Sequence, residues 1–199
     1  MSCNIRVLNA CVNTECLDIH SNNQILADQC SYKYISDYII LDSGDHIFKV
    51  NKSSNKHYPI LKAYTKLVDD SCHTIVASGI GDDINLFVVP DAHVSFHTDK
   101  AYIRFVNLSP DADALDFRFT NNNFIMVNDV EYKEVTQYYP ASPGTYTVRG
   151  YLAGTKIEVL EVPNFTIRRG RGYTIYIVGS VKNLYTMGYI FCPDGRYMD

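Results

Sequence analysis

Tryptophan is missing from the 199-residue sequence, and so is any apolar run of the about 18 residues that a helix needs to cross a bilayer. No membrane insertion is expected. The first residues, Met1-Ser2-Cys3-Asn4-Ile5-Arg6, lack the apolar stretch of a secretory signal, which predicts synthesis in the cytosol without a signal peptide. A basic excess is lacking too. The formal net charge is -4, whereas a nucleic-acid binder normally carries surplus Lys and Arg to displace counterions from phosphates, so nucleic acid is excluded as a partner. The acidity is uneven: residues 1–98 hold 7 basic against 11 acidic residues, and residues 99–199 hold 11 of each.

Catalytic motifs are also wanting. There is no HExxH, no serine nucleophile elbow and no glycine-rich loop opening a helix; Ser78-Gly79-Ile80-Gly81 comes nearest, and it ends a strand. The six histidines (His20, His46, His57, His73, His93 and His97) are scattered. His46 and His73 fall where the second half has Tyr146 and Tyr173, which points to strand packing. The expectation is a protein that is not an enzyme. Among the six cysteines no CxxC pair occurs, which disfavours structural zinc and a thioredoxin-like redox site.

What is present favours sheets. Sixteen Tyr and nine Phe, with many Val, Ile and Thr, suit pleated, half-buried surfaces better than helices. The sequence also repeats itself. Ile5-Arg6-Val7-Leu8-Asn9 and Leu17-Asp18-Ile19 return 98 residues later as Ile103-Arg104-Phe105-Val106-Asn107 and Leu115-Asp116-Phe117. Tyr32-Lys33, Ile35-Ser36 and Tyr38 match Tyr132-Lys133, Val135-Thr136 and Tyr138 at a spacing of 100, as do Gly44 and Gly144, and Thr74-Ile75 with Gly79 and Thr174-Ile175 with Gly179. A unit of this length is too long for a solenoid repeat and suits an autonomous domain.

Within each copy, short stretches of period-two alternation are separated by turn signals such as Ser109-Pro110-Asp111, Asn121-Asn122-Asn123 and Ser142-Pro143-Gly144. The fold expected is all-β: two tandem immunoglobulin-like antiparallel β-sandwich domains of about seven strands each. The first repeat spans residues 1–92, a linker 93–100 in which Val94 and Phe96 pack, and the second repeat 101–199. The stretch from Tyr58 to Val68 could be drawn as a helix, but its counterpart from Lys156 to Ile167 contains Pro163 and alternates, so both read as strands.

Tyr102-Ile103-Arg104-Phe105-Val106-Asn107-Leu108-Ser109-Pro110-Asp111-Ala112-Asp113-Ala114-Leu115-Asp116-Phe117, followed by Val135-Thr136-Gln137-Tyr138 and Pro143-Gly144-Thr145-Tyr146-Thr147-Val148, resembles the bacterial envelope family catalogued as domain of unknown function 4397. The first copy departs from the pattern, with Cys11-Val12-Asn13-Thr14 in place of the Ser-Pro-Asp-Ala turn. The resemblance implies tandem sandwiches in a surface setting and assigns no activity. Family members usually carry an export signal. A bacterial protein without one can still end outside if the surrounding cell lays it onto a developing spore, and abundant Tyr and Cys suit a cross-linked coat.

Three sets of residues are candidate sites. Asn13, Glu15 and Asp18 in copy one, and Asp111, Asp113 and Asp116 in copy two, could offer oxygen ligands to calcium; turn capping is the plainer use, and no cofactor is otherwise expected. Cys11 and Cys16 flank a loop where copy two has Ser109 and Ala114, so a disulfide and two buried thiols both fit. Cys3 and Cys192 sit near the chain ends, where they could link neighbouring molecules, with Cys30 and Cys72 as further cross-linking candidates. The turn with Asp69 and Asp70 is acidic where Arg168, Arg169 and Arg171 are basic, a pattern that could join molecules head to tail.

These features favour a non-enzymatic structural building block of a bacterial surface assembly of the spore coat, exosporium or appendage type. It would self-associate, or join other surface proteins, through strand edges, Tyr faces and cysteines. The alternative is a surface recognition or adhesion module that binds a glycan or a protein through sandwich loops.

Overall fold

The computed structural model describes residues 1–91, 99–120 and 126–195. Most of the expected linker 93–100 and the turn Asn121–Asn123 lie outside them. Every regular element among the described residues is a strand, so no helix is long and apolar enough to cross a membrane. The described residues divide into two compact units, one holding residues 1–91 and 195 and the other residues 99–120 and 126–194.

The first unit contains β1 (Ser2–Val12), β2 (Leu17–Ser21), β3 (Gln24–Cys30), β4 (Ile39–Asp42), β5 (Gly44–Lys52), β6 (Leu61–Leu67), β7 (Cys72–Ile80) and β8 (Asp83–Asp91). The second contains β9 (Ala101–Leu108), β10 (Ala114–Phe119), β11 (Met126–Glu131), β12 (Tyr139–Ala141), β13 (Gly144–Leu152), β14 (Glu158–Ile167), β15 (Gly172–Ser180) and β16 (Asn183–Asp194). Each unit is a sandwich of two four-stranded sheets with the same order: β4-β1-β7-β8 on β3-β2-β5-β6, and β12-β9-β15-β16 on β11-β10-β13-β14. The fold is therefore the tandem all-β sandwich, with seven strands of five residues or more per unit and one short extra strand. The segments leading to Leu67 and Ile167 are strands, as their alternation requires.

One pairing in each unit departs from the antiparallel rule. β1 runs parallel to β7, with Arg6 opposite Thr74, and β9 runs parallel to β15, with Arg104 opposite Thr174. A parallel neighbour needs a long crossover, and here the crossover is the whole intervening sheet. The hairpin after the seventh strand demands glycine. A Cβ on Gly79 (φ +154°) would collide with the Asp83 carbonyl, and one on Gly179 (φ +110°) would lie 2.5 Å from the Thr186 carbonyl.

Each unit closes its own hydrophobic interior. In the first, Ile5, Val7, Leu17, Ile19, Phe48, Val50, Leu67 and Ile75 pack together. In the second the interior is more aromatic: Phe105 stacks on Phe117 at 4.6 Å, and Phe119 meets Tyr146 edge-on at 5.5 Å. Ser21 and His46 occupy the Phe119 and Tyr146 positions in the first unit. The Ser21 Oγ meets His46 Nδ1 at 2.6 Å, while His46 Nε2 donates to the Asp42 carbonyl at 2.8 Å. A buried polar pair thus replaces a half-buried aromatic pair, and it is tolerated because both ring nitrogens are satisfied.

The face of the β1–β7 pair turned away from that interior holds a buried ionic staple. Arg6 Nε donates to Thr74 Oγ1 at 2.7 Å, Thr74 donates to Asp91 Oδ2 at 2.6 Å, and the guanidinium lies 3.5 Å from Asp91 Oδ1. The Tyr38 hydroxyl donates to the same carboxylate at 2.8 Å, and its ring covers the guanidinium at 4.8 Å. The second unit repeats the arrangement with Arg104, Thr174, Asp194 and Tyr138: Arg104 Nε to Thr174 at 2.7 Å, Tyr138 to Asp194 at 2.6 Å, and the ring 4.6 Å from the guanidinium. Thr174 donates to Asp194 as well. Both arginines are 3% exposed. A charge so deeply buried is tolerable only when paired and hydrogen-bonded, so removing one partner leaves the other stranded. Arg6→Met and Arg104→Met are each expected to lower the unfolding free energy in urea by about 3–5 kcal/mol, and Tyr138→Phe by about 1 kcal/mol. A loss under about 1 kcal/mol for both arginine variants would contradict the staple.

Candidate functional site

The carboxylates considered as cation ligands lie apart in role. Asp18 and Asp116 are buried and cap backbone: Asp18 Oδ1 accepts from the Gln29 amide at 2.8 Å and the Ser53 hydroxyl at 2.5 Å, and Asp116 accepts from the Asp129 amide at 3.0 Å and the Gly154 amide at 3.1 Å. Gln29 and Asp129 both have positive φ, near 50°, so each carboxylate fixes a left-handed turn. Asp111 caps the β15–β16 hairpin through Ser180 Oγ at 2.6 Å and the Val181 amide at 2.9 Å. Asn13, Glu15 and Asp113 are exposed, and among the described residues no three His, Cys, Asp or Glu side chains group as metal ligands. Burial alone would raise the Asp18 pKa, but the Ser53 hydroxyl, the Gln29 amide and contacts with Asp28 and Lys56 outweigh it and hold the carboxyl below its ordinary value.

All six cysteines are free thiols, and every one except Cys16 is buried. Burial pushes Cys11 up to about 12; it does the same for Cys30, where the charges of Asp18 and Asp28 add to it. Cys3 is raised too, by burial first and then by Asp69. Asp69, Asp70, Arg168 and Arg169 are exposed on their turns, with Arg171 half-buried beside them. The two turns belong to separate units.

The feature that sequence reading missed lies on the outer face of the β3-β2-β5-β6 sheet. The β2–β3 turn is pinned to β5 by Asn22, whose amide donates to the Ile47 carbonyl at 2.8 Å while its side chain accepts from the Ile47 amide at 3.0 Å. At the other end, the buried Asn51 donates to the Lys56 carbonyl at 3.0 Å and holds the β5–β6 loop upright. Between these walls runs a groove of about 360 Å³, its lining drawn from β2 and the β2–β3 turn (His20, Asn22), β5 (Lys49, Asn51), the β5–β6 loop (Lys56) and β6 (Lys62). Asn22 is shared with a second hollow of about 490 Å³ beside Tyr64, a ring 76% exposed. Volumes of this size match small-ligand sites. Finding the groove from sequence would have required the strand register, since its lining comes from three separated segments.

The family model described as Domain of unknown function (DUF4397) matches residues 3–118, the first unit and the first two strands of the second. No curated protein matches the chain. Among solved structures, a carbohydrate-binding module of family CBM26 from Eubacterium rectale Amy13K, in complex with maltoheptaose, is similar over 98% of both chains at 7% identity and a TM-score of 0.29. At that distance the likeness carries no functional argument.

Thiol chemistry gives a direct check on the cysteine environments. Ellman's reagent at neutral pH is expected to react fast with about one thiol of the native protein, Cys16, because a buried thiol held protonated is a poor nucleophile. After denaturation without reductant, all six should react. Rapid native labelling of Cys3 or Cys192, or fewer than six thiols after denaturation, would contradict the picture.

Proposed function

We propose that this chain, which belongs to the DUF4397 family, is a non-catalytic recognition module whose first unit binds a glycan along the outer face of β2, β5 and β6. The groove between the β2–β3 turn and the β5–β6 loop is the observation that carries this reading. Its lining suits sugar hydroxyls: Asn22, Asn23 and Asn51 each offer a donor and an acceptor, and the imidazoles of His20 and His57 add further polar contacts. The exposed Tyr64 ring next to it supplies a flat apolar surface with a polar tip. In support of a non-enzymatic role, the arginines, aspartates and tyrosines of the two staples are engaged with one another and with threonine.

A surface setting suits such a module, as the family resemblance implies, and a spore coat is one such setting. The self-assembling building block is a second reading, favoured by the exposed Tyr58, Tyr64 and Tyr185. It has less to rest on, since five of the six thiols are buried and none is paired.

The test is a glycan panel that includes neutral and acidic oligosaccharides, with binding mapped by amide NMR on the full chain. Saturable binding is expected, with shifts confined to residues 20–23, 47–51 and 56–64. No binding across the panel, or shifts centred on the second unit, would overturn the assignment.

A further inference from the structure

The outer face of the first unit carries two facing lysines, with a histidine in line beside them, that have no built-in counter-charge. In the strand register, His20 lies opposite Lys49 and Lys49 opposite Lys62, so three basic side chains span β2, β5 and β6 in line. Like charges placed directly opposite on neighbouring strands destabilise a sheet, and Lys49 is half-buried, which sharpens the cost. The groove lining contains no carboxylate. Other lysines of the unit have a carboxylate close by: Lys56 pairs with Asp28 at 2.8 Å and Asp18 at 3.3 Å, Lys52 pairs with Asp82 at 2.6 Å, and Lys66 stands opposite Asp45 in the strand register, while Lys33 lies over the Tyr32 ring. Among the described residues, Lys49 and Lys62 have no such partner. Nor does general basicity account for the row, because this half of the chain holds 7 basic against 11 acidic residues.

The second unit provides the comparison. There the same row reads Arg118 opposite Arg149 and Arg149 opposite Glu161. Glu161 accepts from Arg149 Nε at 2.9 Å, Glu158 lies 3.7 Å from the same guanidinium, and Arg118 stacks over Tyr151 at 5.0 Å. One copy of the fold therefore supplies a carboxylate to the row from its own sixth strand. The other places Lys62 at that position and opens a groove over it.

We infer that the His20–Lys49–Lys62 row is the anion subsite of the groove, and that it takes the carboxylate of an acidic sugar where the second unit has Glu161. The inference rests on the glycan-binding reading and narrows it to uronate-containing glycans. Lys49 and Lys62 hold the carboxylate by charge-assisted contacts, while Asn22, Asn23 and Asn51 are left for the hydroxyls of the same chain.

The experiment is calorimetric titration of the full chain at low ionic strength with α-1,4-linked trigalacturonate, with its fully methyl-esterified form, and with sodium sulfate. Trigalacturonate is expected to bind and to weaken as salt is raised, and the neutral ester to bind at least about tenfold more weakly. Lys62→Glu, which copies the second unit, should abolish the difference between acid and ester and raise the melting temperature at low salt, since it supplies the missing counter-charge. Lys156→Glu, on the exposed surface of the second unit, changes net charge equally and should leave binding intact. Lys62→Gln serves as the milder variant should the reversal perturb the sheet, and it too should weaken trigalacturonate selectively. Equal binding of acid and ester, or unchanged binding in the Lys62 variants, overturns the anion subsite while leaving glycan recognition standing. Binding of neither sugar, or stabilisation by sulfate alone, overturns the inference; in that case the broader panel decides the glycan reading separately.

Discussion

A guanidinium buried between the first and seventh strands is the constraint on which each half of this chain depends. Arg6 and Arg104 sit where two strands run parallel, and a parallel pair joins segments that are distant in sequence. Each arginine reaches a threonine on the neighbouring strand, an aspartate at the end of the eighth strand and a tyrosine on the crossing segment. Four parts of one sheet are thereby tied by contacts that only a single arrangement satisfies. Such networks need not add much net stability over apolar packing, but they penalise every register in which a charge is left alone.

With that frame duplicated, the two copies have diverged in places where divergence is physically cheap or useful. Inside, the Phe119–Tyr146 contact of the second unit is exchanged for the hydrogen-bonded Ser21–His46 pair of the first, and both partners changed together. Outside, the row across the second, fifth and sixth strands carries a carboxylate in one copy and a lysine in the other. The interior exchange preserves a closed core. The exterior one alters what the sheet presents to solvent, and it coincides with the groove formed by the β2–β3 turn and the β5–β6 loop.

Much of the fold is legible in the amino-acid sequence, because the spacing of 98 to 100 residues brings Arg6, Asn9, Asp18, Tyr38 and Thr74 onto counterparts of the same type. Arg6, Tyr38 and Thr74 prove to belong to the staple, Asp18 to a turn cap, and Asn9 ties β1 to the Cys30 carbonyl. Asp91 escapes because its partner Asp194 lies 103 residues on: Cys72 faces Asp91 while Gly172 faces Asp194, so the second hairpin is longer and breaks the repeat spacing. The turn-capping use of Asp18 and Asp116 can be read from residue type, whereas their separation from Glu15 and Asp113 cannot. The cation row is invisible in the sequence for a related reason. Lys49 and Lys62 are neighbours only through strand register, and nothing in linear spacing distinguishes a lysine facing a glutamate from one facing another lysine.

The most direct measurement of the central claim is hydrogen exchange at the arginine Nε–H groups by NMR. If the guanidinium groups of Arg6 and Arg104 are sealed in the staples and donate to Thr74 and Thr174, their Nε protons should exchange as slowly as the core amides of β7 and β15. Exchange as fast as that of the exposed Arg168 and Arg169 would show that the arginines reach solvent, and the account of how each unit is held together would fail.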